Sequence, residues 1–105
     1  MVQTQPYASP RLSVQVADTL RLERTAFGAK VRSARAILGL SQDELSELVG
    51  LTQRSIHRIE QGQVEPRLRT ILTIEQFWSD RDIAFEDMPD GGFRLVVKGS
   101  LLRGQ

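Results

Sequence analysis

Residues 42–61, QDELSELVGLTQRSIHRIEQ, constrain the fold of this chain more than any other stretch, because a single glycine divides them into two short helices. Gly50 follows the apolar pair Leu48 and Val49 and precedes Leu51 and Thr52. A glycine in that place accepts the positive φ that ends a helix, and a threonine two residues later offers a hydroxyl to cap the next one. The chain is therefore expected to break here rather than bend. Upstream, Ser41 and Glu44 form an S-x-x-E capping box, in which hydroxyl and carboxylate each take an orphan amide at the start of the first of the two helices.

At 100° per residue, the second helix of this segment carries Ile56 and Ile59 on one side and Arg54, His57, Arg58 and Gln61 on the other. An ordinary amphipathic helix would show the same division and present its polar face to water alone. The chemistry of the polar set points further. Gln53, Arg54 and Arg58 are side chains that can make bidentate hydrogen bonds to adenine or guanine edges, and a helix fits the major groove of duplex DNA. These three are the candidate base contacts.

The segment resembles the helix-turn-helix of the Cro and phage-repressor (XRE-type) family, and the likeness extends to both sides of it. Gly28, Val31, Arg32 and Arg35, followed by Gly39-Leu40-Ser41-Gln42, are similar to that family's first helix and its G-L-S-Q junction. Ile59-Glu60-Gln61-Gly62 and Pro66 are similar to its exit from the third helix. Ser46 departs from the usual alanine at the crowded inter-helix position, while remaining small. The resemblance implies a mainly α fold, a four to five helix repressor-like DNA-binding bundle. It also implies an ion pair between Arg35 and Glu60, and phosphate contacts from Gln42 and Ser55. Thr52, at a helix N-terminus that favours anions, and Arg35, at the edge of the inner face of its helix, are the other expected phosphate contacts.

Around this segment the first helix is expected to start at Thr25 as its cap and to run to Leu38, with Val31, Ala34 and Leu38 inward. Ile71, Ile74, Phe77 and Trp78 recur at helical spacing after Pro66 and predict a fourth helix that closes the core. From Ile83 the period changes to two: Ile83 and Phe85 alternate, Met88-Pro89-Asp90-Gly91-Gly92 supplies turn chemistry, and Phe93, Leu95 and Val97 alternate again. That pattern is a C-terminal β-hairpin, which needs the helices or a second copy to pack against. The first residues, rich in Gln, Pro and Ser up to Pro10, suggest a flexible arm. Beyond them either a short strand over Leu12, Val14 and Val16 or a short helix capped by Asp18 and carrying Leu20 and Leu22 is expected. The chain thus divides into an N-terminal arm (1–24), a helix-turn-helix domain (25–81) and a hairpin (82–105) suited to dimerisation or partner contact.

The formal charge of +1 becomes informative when divided along the chain. Residues 19–72 hold nine basic and six acidic side chains, a net of +3, whereas residues 73–91 hold one basic and six acidic, a net of −5. Positive charge near the reading helix attracts phosphate, and the acidic segment is expected to face away from DNA. The 105 residues, 40% hydrophobic, suit one modest core. With no cysteine there are no disulfides, thiolate metal sites or cysteine nucleophiles. Glu86, Asp87 and Asp90 lack the spacing of a calcium loop, and no metal or other cofactor is expected. His57, the single histidine, has no companion at catalytic spacing, so an enzyme is not expected. Neither a membrane-length apolar run nor a secretory leader is recognisable, which places the expected location in the cytoplasm, at the nucleoid.

Taken with the resemblance, these features imply a transcriptional regulator that binds double-stranded DNA, a homodimeric repressor reading a near-palindromic operator through the major groove. Two alternatives stand beside it. One is an antitoxin that represses its own operon and uses an end of the chain to bind a cognate toxin. The other is a protein-interaction module that has kept the fold and lost DNA binding.

Overall fold

The computed structural model describes residues 10–104, with side chains described from residue 14 onward. Its elements run α1 (Pro10–Leu38), α2 (Gln42–Val49), α3 (Gln53–Glu60), α4 (Leu68–Ser79), β1 (Ile83–Asp87), β2 (Phe93–Val97) and α5 (Gly99–Arg103). It is a mainly helical bundle with one two-stranded antiparallel hairpin.

The expected start of the first helix at Thr25 is incorrect. Helix α1 spans 29 residues and passes through Thr25, whose hydroxyl donates to the Arg21 carbonyl one turn back at 3.0 Å instead of capping a helix. No glycine or proline stands between Arg11 and Phe27 to stop propagation, and extending a formed helix by one residue costs far less than nucleating one. Pro10 occupies the first helical position, where its missing N–H is no loss. The strand expected over Leu12, Val14 and Val16 is likewise replaced by helix, and Asp18 lies within α1 rather than at a cap. The arm expected before Pro10 lies outside the described residues.

The C-terminal end of α1 and both ends of α2 are built as their residues dictate. Ser41 Oγ accepts the Glu44 amide at 3.0 Å and Glu44 Oε1 accepts the Ser41 amide at 2.8 Å, closing the capping box. Gly50 ends α2 at φ 74°, ψ 31°, and Leu51 N–H returns to the Ser46 carbonyl at 2.9 Å. The core gathers Val31 and Ala34 from α1, Leu45 from α2, Ile56 and Ile59 from α3, Ile74, Phe77 and Trp78 from α4, and Ile83 from β1. Ser46 is buried at 3% exposure, and its hydroxyl donates to the Asp43 carbonyl at 2.6 Å. The small departure from alanine is thereby accommodated within its own helical turn.

The hairpin pairs Ile83 with Val97, Phe85 with Leu95 and Asp87 with Phe93. Met88 N–H reaches the Gly92 carbonyl at 2.8 Å across the turn. Its apolar face is held by rings: Trp78 and Phe85 meet edge-on with centroids 4.8 Å apart, Phe85 and Phe93 at 5.5 Å, and Phe27 and Trp78 at 5.9 Å. Lys30 of α1 ties it down from the side, with Nζ 2.7 Å from Asp87 Oδ1 and 5.5 Å from the centre of the Phe93 ring. Helix α5 was not signalled by periodicity, because five residues are too few to show a period; Leu101 packs it against the core. No helix among the described residues is long and apolar enough to cross a membrane.

Candidate nucleic-acid interface

Helix α3 packs on α1 and α2 through Ile56 and Ile59, which are 0% and 4% exposed. Burial of these two fixes the rotation of the helix, and the opposite face is left to solvent. Gln53, Arg54, His57 and Arg58 are all exposed. Arg54 and Arg58 stand one turn apart and so share a face. Neither makes an ion pair or side-chain hydrogen bond among the described residues, so both guanidinium groups keep their full set of donors.

Two helix N-termini lie beside that face. At α3, Thr52 Oγ1 accepts the Ser55 amide at 3.0 Å and donates its own proton to Ser55 Oγ at 2.9 Å. Thr52 is thus committed to capping, and Ser55 retains the hydroxyl proton that can be given to an anion. At α2 the capping box takes the amides of Ser41 and Glu44; those of Gln42 and Asp43 have no acceptor among the described residues. Unpaired amides at the positive end of a helix dipole suit a phosphate.

Gln42 is half-buried and its side chain is turned inward. Its Nε2 donates to Glu60 Oε1 at 3.0 Å and lies 3.5 Å from His57 Nδ1, and its Oε1 accepts from Gln53 Nε2 at 2.7 Å. One N–H of Gln53 is therefore held in place while its amide oxygen and second N–H stay available. The Gln42 side chain is thus tied to Glu60 and Gln53, while the backbone amides of Gln42 and Asp43 stay open.

Glu60, at the far end of α3, is 2% exposed. Its carboxylate accepts from Arg35 Nε at 2.8 Å and from Arg35 Nη2 at 3.0 Å, a two-pronged pair that joins α1 to α3. Arg35 Nη1 donates to the Leu40 carbonyl at 3.0 Å. The carboxylate of Glu60 holds the guanidinium of Arg35 above its ordinary range, against a smaller opposing effect of burial. Three of the five N–H donors of Arg35 are engaged within the chain, which leaves one N–H on each of Nη1 and Nη2 for the phosphate contact also expected of it.

The residues matching the helix-turn-helix family model run from 31 to 77. An uncharacterised HTH-type transcriptional regulator of Haemophilus influenzae is 41% identical over 51 residues, which are 49% of this chain and 52% of that protein. The uncharacterised HTH-type transcriptional regulator YgzD of Bacillus subtilis is 42% identical over 45 residues, 43% of this chain and 68% of that protein. The chain belongs to the helix-turn-helix family, in its XRE-type branch. It spans about half the length of the Haemophilus relative.

Within this helix-turn-helix protein two groups hold the reading helix that residue patterns did not single out for that role. Arg32 is exposed, yet its Nη1 donates to the Glu60 carbonyl and so caps the C-terminus of α3, where a cation also meets the negative end of the helix dipole. Gly28 is where α1 crosses the same end of α3: a Cβ there would sit 2.5 Å from the Ile59 carbonyl oxygen. Nothing in the local sequence of either residue says which helix it faces, because that depends on the crossing.

The capping box carries a pH dependence. The Ser41 amide and hydroxyl hold the Glu44 carboxyl below its usual range. A depressed carboxyl contributes stability that is present above the unfolded-state value and lost as pH falls through the folded one. The stability difference between the wild type and Glu44→Ala is therefore expected to be larger at neutral pH than in acid, as read by urea unfolding at both. A difference that grows on acidification contradicts the role given to Glu44.

Proposed function

We propose that this chain is a sequence-specific transcriptional regulator of duplex DNA, a homodimeric repressor that places two copies of α3 in successive major grooves of a near-palindromic site. The observation that carries this reading is the presentation of α3: its apolar side is fixed in the core, and Gln53, Arg54 and Arg58 project from the other side beside helix N-termini with open amides. The two relatives, both named as transcriptional regulators, support it. In this reading Gln53, Arg54 and Arg58 contact bases. Ser55, with the N-terminal amides of α2 and α3 next to Gln42 and Thr52, holds phosphates. The acidic hairpin rests on α1 and α4, away from the groove, and the protein acts at the nucleoid.

Selection of bound sites from random duplexes, repeated at two salt concentrations, tests the proposal. A conserved half-site recurring one helical turn away, with affinity falling steeply with salt, is the expected result. Equal recovery of all sequences would overturn it. On the selected site, Arg54→Ala and Arg58→Ala are each expected to cost about 1–3 kcal/mol in binding and to relax preference at particular base pairs. Competition titrations against single-base variants measure both effects, and an Arg54→Ala, Arg58→Ala double variant with the parental preference would remove these residues from the reading set.

A further inference from the structure

We propose that each half-site bound by α3 carries two guanines on one strand, one for Arg54 and one for Arg58, beside an adenine taken by Gln53; this rests on the reading of the chain as a sequence-specific DNA binder. At 100° per residue the buried Ile56 and Ile59 define the core side of α3. Arg54 then projects within about 10° of the opposite direction, and Arg58 stands about 50° from that direction. Gln53 stands about 90° away on the other flank, the side of α2, where it meets Gln42. Arg54 and Arg58 therefore form one stripe, and Gln53 lies apart from it.

The chemistry of the stripe selects its base. Helix α3 contains one acidic residue, Glu60, which is 2% exposed and bound to Arg35. Its exposed side thus has no carboxylate to accept the N4 amine of cytosine, and the Arg54 and Arg58 stripe consists of donors alone. Guanine is the one base with two acceptors in the major groove, N7 and O6. Adenine has one acceptor beside a donor, and thymine one beside a methyl group. An arginine fork set against adenine would bring an N–H up to the N6 amine. Both guanidinium groups can form the fork, since neither makes an ion pair or side-chain hydrogen bond among the described residues. Gln53 differs. Gln42 Oε1 accepts one of its amide protons at 2.7 Å, which leaves one donor and one acceptor, the combination that matches N7 and N6 of adenine.

Spacing sets the pattern of the site. Four residues advance a helix by about 6 Å, and bases on one strand follow one another at about 3.4 Å. The two guanines are therefore neighbours or have one base pair between them. Both arginines lie to one side of the pole of the helix and so face one strand. Gln53 adjoins Arg54, which puts its adenine at the Arg54 end of the pair.

Sites selected by the full chain from random duplexes are expected to contain this guanine pair in each half-site. Competition titration then uses 7-deazaguanine, which lacks the N7 acceptor. At either guanine of the pair it is expected to weaken binding about tenfold or more, and at a guanine outside the half-site to leave binding unchanged. Arg54→Gln and Arg58→Gln are each expected to shift one position from G·C to A·T and to leave the other as it was. Circular dichroism of both variants is expected to match the wild type, because both side chains are exposed. Half-sites without the guanine pair, binding indifferent to 7-deazaguanine, or variants that keep guanine at both positions overturn the proposal. In those cases a recurring selected site leaves the regulator reading standing, whereas equal recovery of all sequences overturns both.

Discussion

Glu60→Ala is expected to lower the stability of the domain by about 3–5 kcal/mol, the range for removing one partner of a buried ion pair. Three donors converge on this carboxylate, two from Arg35 and one from Gln42, and its side chain is 1% exposed. Without it, Arg35 keeps only the Leu40 carbonyl. The arginine cannot relieve the loss by deprotonating, since its ordinary value is already far above neutrality. Gln42 loses an acceptor at the same time, and with it part of the hold on Gln53. Against a total stability of about 5–15 kcal/mol for a small domain, a loss of this size moves the urea midpoint far. Base preference is expected to survive in the fraction that remains folded at low temperature, because the bases are assigned to Gln53, Arg54 and Arg58. A Glu60→Ala protein with an unchanged midpoint would show that the pair between α1 and α3 contributes nothing.

Gly28→Ala carries the second large effect, and here the sign of the change is the test. In an unobstructed helix, alanine in place of glycine stabilises by about 1 kcal/mol. At Gly28 the added methyl would lie 2.5 Å from the Ile59 carbonyl oxygen and 2.8 Å from that of Glu60. Both are backbone atoms, which cannot swing aside as the end of a flexible side chain does. The two helices must separate, and separation lengthens the bonds that Arg32 and Arg35 make to Glu60. A net loss of about 2–3 kcal/mol is expected, at the upper end of the usual cost of overpacking. Thermal denaturation reads the stability, and titration of the selected duplex is expected to show weaker binding, because the C-terminal end of α3 is displaced. A higher melting temperature for Gly28→Ala would mean that α1 and α3 do not cross this closely.

Much of the reading apparatus is legible in short stretches because the physics there is local. A capping box is complete within four residues, and a helix break needs only Gly50 followed by a capping threonine. The hairpin could be placed from its period of two and the turn residues between Met88 and Gly92. The start of α1 was not legible in the same way. Val14 and Val16 alternate with polar neighbours as a strand would, and Thr25 has the chemistry of a cap. Neither signal prevails over continuation of the helix that residues 26–38 form against α3. At Gln42, side-chain chemistry suits a phosphate, but a half-buried amide beside the Glu60 carboxylate turns inward, and only the tertiary arrangement brings the two together.

What the sequence determined by itself was the helices α2, α3 and α4, the hairpin, and the division of α3 into an apolar and a polar side. These follow from caps, glycines and periodicity, whose interactions close within one or two helical turns. The tertiary structure decided which groups are spent on holding the reading helix and which remain open. Arg32, Arg35 and Gln42 are drawn to Glu60, and Gly28 is pressed against the same end of α3, because two helices cross there. Donors distant in sequence meet one carboxylate and one carbonyl at that crossing, a convergence that no local pattern encodes.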